Sequence, residues 1–166
     1  MHRRLGSALA LAVTAAAIVV PAAPASADEG VAIVGLDGLH LGRWSGRGDL
    51  TAGDAHCVAV RRRHGPPRFN LVAAGDGPGG GFVLTDGATT LPFSVRYDDG
   101  RGGRPLEPGR TLDQVAGQPA TDAPAFCRGG DRGARNRLEV RVREGDLARV
   151  PAGRFHGRLH LTILAE

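Results

Sequence analysis

The sequence of 166 residues is 42% hydrophobic and only 4% aromatic, and its 21 basic residues against 17 acidic residues give a net charge of +4. Lysine is absent, so all 21 are arginine. The arginines are dispersed among the acids rather than clustered with aromatic residues between them, which argues against a nucleic-acid-binding protein. The one basic run, at residues 61–64, is typical of a solvated loop.

The chain begins with a predicted secretory signal peptide at residues 1–27. Arg3 and Arg4 precede an apolar run at residues 5–20, and Ala25-Ser26-Ala27 supplies a small-residue cleavage site. The run is broken by proline and falls short of the ~20 residues that span a bilayer. We therefore expect export, cleavage before Asp28 and no membrane span in the mature chain. The arginine pair leaves the general secretory and twin-arginine routes both open.

Short runs of alternating apolar residues, separated by glycine-rich turns, follow the signal. A two-residue period marks a strand with one buried face, and Asp86-Gly87 between two such runs predicts a hairpin. This spacing predicts an all-β fold, an antiparallel sandwich of about seven strands. The predicted strands lie at residues 31–41, 55–60, 69–74, 82–85, 91–97, 111–115, 138–142 and 155–163.

The terminal run has the clearest alternation in the chain. Apolar residues and a glycine occupy every second position, at Phe155, Gly157, Leu159, Leu161 and Ile163. A strand in this place leaves one edge without a later segment to pair with it. We therefore expect that edge to be covered by an earlier segment of the chain or by another molecule.

The two cysteines predict one disulfide. Cys57 and Cys127 are the only cysteines of the chain, and an exported protein meets an oxidising compartment in which such a pair normally bonds. A metal or thiol-exchange site would need a second cysteine two or three positions from either one, and there is none.

Other candidate sites have weak support. The glycine-rich loop at residues 75–81 cannot complete a phosphate-binding motif without lysine. His156 and His160 would stand ~13 Å apart on a strand, too far to share a metal. Asp98-Asp99-Gly100 is more typical of a turn than of a calcium site. No nucleophile has a base at a supporting spacing, so the sequence predicts no enzyme activity, no metal and no cofactor.

Six segments in order resemble a known family. An apolar stretch leads to Gly42, Arg43 and Trp44, Cys57 and Cys127 each begin a short matching segment, and the terminal motif has Phe155 where a tyrosine is usual. Together the segments resemble the spore coat protein U domain, a pilin-like family of the archaic chaperone-usher pathway. The segments are residues 38–44, 57–60, 91–97, 106–109, 127–130 and 152–162.

The resemblance implies an immunoglobulin-like, pilin-like sandwich at residues 37–166 that lacks its last strand. A periplasmic chaperone, acting with an usher, and then a neighbouring pilin subunit would each add a strand beside the terminal strand. The donor segment would lie at residues 28–36, with Val31 and Ile33 as its anchors. The acceptor groove would be formed by Phe155, Leu159, Leu161 and Ile163. The implied role is a structural subunit of a cell-surface fimbria in adhesion or biofilm formation.

An alternative role uses the same sandwich without strand exchange. Residues 31–34 are consecutive apolar residues whose phase is ambiguous, so residues 28–36 can equally form the domain's own first strand. The protein would then be a self-contained secreted or periplasmic binding module for a glycan or a protein. Such a module needs an exposed aromatic patch, for which Trp44 is the candidate; packing at the end of the sandwich is the competing role for Trp44.

Overall fold

The computed structural model describes residues 30–120, 127 and 136–165, so the predicted signal peptide lies outside the described residues. The described chain is mostly strand, with one short 3-10 turn and the one-turn helix α1. Seven of its eleven strands have five or more residues, which confirms the predicted all-β sandwich of about seven strands. The elements are β1 (Gly30–Val34), β2 (Leu50–Arg61), β3 (Arg68–Gly75), the 3-10 turn (Pro78–Gly80), β4 (Val83–Thr85), β5 (Thr90–Pro92), β6 (Ser94–Asp98), β7 (Arg104–Leu106), β8 (Thr111–Ala116), β9 (Gln118–Pro119), β10 (Asn136–Val142), α1 (Glu144–Leu147) and β11 (Leu159–Ala165).

The larger sheet has the strand order β1-β2-β10-β6-β7, with β9 added in parallel to β2. The 12-residue β2 serves two neighbours, since its first half pairs with β10 and its second half with β1. On β10, Leu138, Val140 and Val142 are buried while Arg137 and Arg141 are exposed. This alternation places one face of the sheet on the core.

The smaller sheet has the order β11-β3-β8 and is antiparallel throughout. A register shift opposite Asn70 leaves Gln114 with a positive φ of 57°, the kind of bulge that bends a strand. The predicted hairpin is confirmed as a separate two-stranded sheet of β4 and β5. Its turn is closed by Asp86, whose carboxylate accepts hydrogen bonds from the amides of Thr89 and Ala88; these bonds lower the pKa of Asp86.

The two sheets bury a common core. Its largest fully buried members are Tyr97, Phe69 and Leu71, which are contributed by both sheets. The predicted disulfide between Cys57 and Cys127 is present and closes a loop of 70 residues. Cys57 lies in β2 and is itself buried, so the crosslink ties the middle of the larger sheet to the segment that leads into β10.

A buried polar network lies beside the disulfide. A hydrogen bond of 2.9 Å joins Nε2 of His56 to the hydroxyl of Tyr97, and both residues are 1% exposed. Asn136 Nδ2 donates to the carbonyl of Ala116. Burial, and next the nearby charge of Asp99, raises the pKa of Tyr97, and burial lowers the pKa of His56. Burial therefore favours the neutral form of His56 inside the fold.

Three predicted strands differ from the structure. The run at 91–97 is divided at Phe93, whose amide donates to Phe82, so that β5 stays in the hairpin while β6 joins the larger sheet. The run at 31–41 ends as a strand at Val34. The terminal strand begins at Leu159 rather than at Phe155.

The strand order matches an immunoglobulin sandwich with one place empty. In the constant-type sandwich, strands A, B, E and D form one sheet, and C, F and G form the other. In both chain order and sheet order, β1, β2, β10 and β6 correspond to A, B, E and D, while β3 and β11 correspond to C and F. No strand among the described residues takes the place of G beside β11.

Candidate functional site

The terminal strand β11 has one paired edge and one open edge. It pairs with β3 from Leu159 opposite Gly75 to Ala165 opposite Phe69, and no described residue pairs with its other side. The side chains of Leu159, Leu161 and Ile163 pack against the main core but stay partly exposed. The unpaired edge of β11 therefore carries three aliphatic side chains that are only half-buried.

The wall opposite β11 is formed by the chain that follows β1. Leu36, Leu39 and Leu41 point to the core and are also only partly buried. β1 and β11 are neighbours, with Cα atoms within 8 Å of one another, but the two strands share no backbone ladder. The two walls therefore face each other across a gap rather than forming one sheet.

One cavity lies in this gap, and a second adjoins it without being lined by any residue of β11. The first, of about 230 Å³, has Leu36, Leu39 and Leu41 on one side, Leu159 and Leu161 on the other, and core residues such as Phe93 beneath. The second, of about 700 Å³, extends from Leu41 to Trp44 on one side and along residues 150–155 on the other. Both are lined by Leu41 and Leu84, so they adjoin. We call the two together the groove, with walls at residues 36–44 and 150–161.

Phe155 lies in the groove but not on the terminal strand. It packs in the second hydrophobic cluster and lines the second cavity. The next residue, His156, forms an isolated bridge with Thr85 of β4, and a Cβ on Gly157 would be 2.5 Å from the carbonyl oxygen of Val83. Because this segment is held against β4, it cannot continue the ladder with β3. The prediction that Phe155 belongs to the terminal strand is therefore corrected, although it contributes to the groove.

Val31 and Ile33 lie on β1, opposite Val60 and Val58 of β2. Their side chains pack on the main core, so in this chain residues 30–34 form the domain's own first strand. This is the arrangement that the alternative interpretation describes. Donation of the same segment to another subunit stays a prediction.

Trp44 packs at the end of the sandwich, and its predicted binding role stays a prediction. Its Nε1 donates a hydrogen bond of 2.9 Å to the carbonyl of Gly48, and its ring packs against the second hydrophobic cluster. The same ring lines the second cavity. Trp44 is thus a packing residue with one face towards the groove.

The other candidate sites are explained by local structure. His160 contacts Asp76 at 3.4 Å, His156 is part of a backbone bridge, and Asp98 accepts the amides of Gly100 and Gly102 in a turn. Within residues 30–120, 127 and 136–165, no group of three histidines, cysteines or acids could hold a metal. No helix in the same ranges has the length and apolar character needed to cross a bilayer.

The sequence patterns did not reveal the wall at residues 36–41 or the floor of the groove. Leu36, Leu39 and Leu41 were predicted to continue a strand, because their spacing is close to alternation. Phe93 and Val140 occupy ordinary core positions in their strands. Their exposure to a groove depends on how the two sheets are offset, and no local pattern contains that information.

Comparison with known proteins supports the fold. No family model matches the chain, and no curated protein matches it. A solved structure described as "Chaperone-tip adhesin complex is vital for synergistic activation of CFA/I fimbriae biogenesis" is similar, with a TM-score of 0.56 and 12% sequence identity. The similarity covers 82% of this chain and 41% of that one. This chain therefore spans about two-fifths of the length of the chain it matches, and the two share a fold.

Proposed function

We propose that this protein is an exported, non-enzymatic subunit of a cell-surface fimbria, of the spore coat protein U type, whose groove receives a β-strand from another protein. The observation that carries the proposal is the open edge of β11, lined by half-buried Leu159, Leu161 and Ile163. The sequence motifs and the shared fold with a chain from a chaperone and tip adhesin complex support the same assignment.

Strand addition accounts for the shape and the chemistry of the groove. The open edge of β11 presents backbone donors and acceptors, and an added strand would pair with them while its alternate side chains enter the cavities. Each aliphatic side chain that becomes fully buried contributes about 1.5–3 kcal/mol relative to an exposed one. Several such anchors together with a backbone ladder would give a long-lived complex.

The open edge also explains why partners would be needed in sequence. An exposed apolar edge is prone to pair with unrelated chains. A periplasmic chaperone would cover the groove first, an usher would direct assembly, and a neighbouring pilin subunit would then replace the chaperone strand. The assembled subunit would be found at the cell surface.

A ladder of assembled subunits tests this proposal. Surface extracts of cells that produce the protein should show, on an unheated denaturing gel, bands at multiples of the subunit mass that collapse to one band on boiling, as expected if the assembly is kinetically stable and unfolds only on heating. Leu161→Arg should abolish the ladder, because it places a charge in the groove. Thr162→Arg changes the neighbouring exposed position of β11 and should leave the ladder intact. A protein that is only monomeric, or a ladder that survives Leu161→Arg, would refute strand addition.

The predicted donor role of residues 28–36 needs a separate test. Donation requires β1 to leave β2 and to give up the five residue pairs of their ladder. Ala32 and Ala59 are opposite each other in that ladder, and cysteines at both positions would lock β1 in place. The donor prediction expects the Ala32→Cys/Ala59→Cys protein, with this second disulfide formed, to give no ladder, and the matched Ala32→Ser/Ala59→Ser protein to give one. An unchanged ladder in the oxidised protein would show that another segment is the donor.

The second cavity favours one other function. A volume of about 700 Å³ lies within the usual range of ligand sites, ~300–1,000 Å³, and Trp44 and Phe155 supply aromatic surface. A self-contained secreted binding module would use this cavity for a glycan or a protein. It predicts a stable monomer that no strand partner stabilises, which is the opposite result in the gel experiment.

A further inference from the structure

The charged residues that line the groove are mainly cationic. They are Arg43 on the first wall, Arg154 and Arg158 on the second, and the single acid Asp37. All four are exposed, so their charged groups lie at the rim while the floor is apolar. The groove is thus an apolar slot with a positive border.

The three rim arginines have no partner among the described residues. Arg43, Arg154 and Arg158 take part in no side-chain ion pair or hydrogen bond there, whereas five other arginines pair with acids. The paired arginines are Arg101 and Arg104 with Asp99, Arg110 with Glu107, Arg141 with Asp49, and Arg149 with Asp146.

Two further acids lie near the rim but do not line the groove. Asp86 approaches Gly153 but accepts two amides of its own turn. Asp76 accepts the backbone amide of Arg158 and contacts His160. Hydrogen bonds from neutral amides leave both carboxylates charged, so the excess of positive charge belongs to the groove lining itself, where three arginines face the single acid Asp37.

We propose that the groove selects a strand from another subunit that has acidic residues beside its alternating apolar anchors. This inference rests on the proposed function, and it adds the chemistry of the partner. The apolar anchors would enter the cavities, and the acidic side chains would lie at the rim beside Arg43 and Arg154. Complementary charge at a rim mainly improves selection and the rate of association.

The chain's own residues 28–36 have this composition and provide a probe. Asp28 and Glu29 precede Val31 and Ile33 in the sequence. Nine extended residues span ~30 Å, and the strand beside which the peptide would pair, β11, has seven residues. A peptide of residues 28–36 is therefore long enough to pair along β11 with its acidic end at one extremity.

Trp44 makes binding directly measurable. It is the only tryptophan of the chain and lines the second cavity, so its emission should shift to shorter wavelength as a peptide displaces water. The purified exported protein would be titrated with the peptide of residues 28–36, with its Asp28→Asn/Glu29→Gln form, and with its Asp28→Arg/Glu29→Arg form. We expect the acidic peptide to bind about fivefold more tightly than the amide form, from two exposed ion pairs, and the basic form to bind most weakly. The difference should vanish at 1 M salt, where the screening length is ~3 Å.

Variants of the protein identify the residues responsible. Arg43→Ser/Arg154→Ser should bind the acidic and amide peptides with equal affinity. Arg47 is exposed but lines neither cavity, so Arg47→Ser is the matched control and should keep the fivefold preference.

The possible results separate the two proposals. Equal affinity for all three peptides would overturn charge selection and leave strand addition standing. A preference that persists in Arg43→Ser/Arg154→Ser would also overturn it, because the selecting charge would then lie elsewhere. If none of the peptides binds at millimolar concentration, the groove does not accept this acidic strand and the inference fails, while the gel experiment with Leu161→Arg decides the proposed function separately.

Discussion

Loss of the Cys57–Cys127 disulfide should remove a large part of the stability of this domain. The bond closes a loop of 70 residues, which contains β3 to β9. In the chain-entropy model, a closed loop of this length lowers the entropy of the unfolded chain by about 15 cal/mol/K, or about 4.4 kcal/mol at 25 °C. Domains are stable by only about 5–15 kcal/mol in total. The free energy contributed by the crosslink is therefore comparable to the entire free energy of unfolding of a weakly stable domain.

Denaturant titration followed by Trp44 fluorescence measures this contribution. Wild-type protein with the bond reduced isolates the crosslink, whereas Cys57→Ala/Cys127→Ala also removes the buried sulfur of Cys57. We expect both to lose about 4 kcal/mol, with the alanine variant slightly less stable than the reduced protein. A loss below about 1 kcal/mol in the reduced protein would refute the reasoning, because it would mean that the unfolded chain is already restricted without the bond.

Two further predictions concern stability. His56 has its pKa lowered by burial, so the unfolded chain takes up a proton at a higher pH than the folded chain does. Stability should therefore fall as the pH drops below about 6.5, by up to about 1.4 kcal/mol per pH unit; urea titrations from pH 7.5 to 5 test this, and equal stability across that range would contradict it. Gly157→Ala should cost about 1–3 kcal/mol, because its Cβ would meet the Val83 carbonyl oxygen at 2.5 Å. Gly145→Ala, in the open on α1, should be neutral or stabilise by up to about 1 kcal/mol, and thermal melts of the two variants should differ accordingly.

The features that local chemistry determines could be predicted from the sequence. On β10, charged and aliphatic residues alternate without interruption, so the strand and its buried face follow from the period alone. The hairpin follows from Asp86-Gly87, where Gly87 takes a φ of 99° that few other residues tolerate. The disulfide follows from an export signal and two cysteines.

The features that tertiary contacts determine could not be predicted. Phe93 fits the alternation of Leu91 and Val95, but the period of side chains does not reveal that the backbone changes sheets there. Gly157 fits the terminal period, yet its missing side chain allows the close approach to β4 that delays the start of β11. Val31 and Ile33 lie among consecutive apolar residues. Such a run does not alternate, so the sequence cannot show whether it forms a strand of its own domain or a strand donated to another subunit.

Only one wall of the groove could be predicted from the sequence, because the other wall is positioned by tertiary contacts. Leu159, Leu161 and Ile163 were found because they alternate on one strand. The opposing Leu36, Leu39 and Leu41 come from a segment without regular secondary structure, and the two sets face each other only after the sheets have packed. The positive rim likewise combines Arg43 with Arg154 and Arg158, which are far apart in the sequence.

Residue-resolved amide exchange along β11 tests the central claim most directly. In an antiparallel pair, successive amides of a strand point alternately towards the partner and away from it. If the groove of the isolated protein is open, every second amide from Leu159 to Ala165 should exchange quickly while its neighbours, bonded to β3, stay protected. The fast set should become protected when a strand partner is added. Slow exchange of all these amides in the isolated monomer would show that the chain already covers its own edge, and would contradict the account.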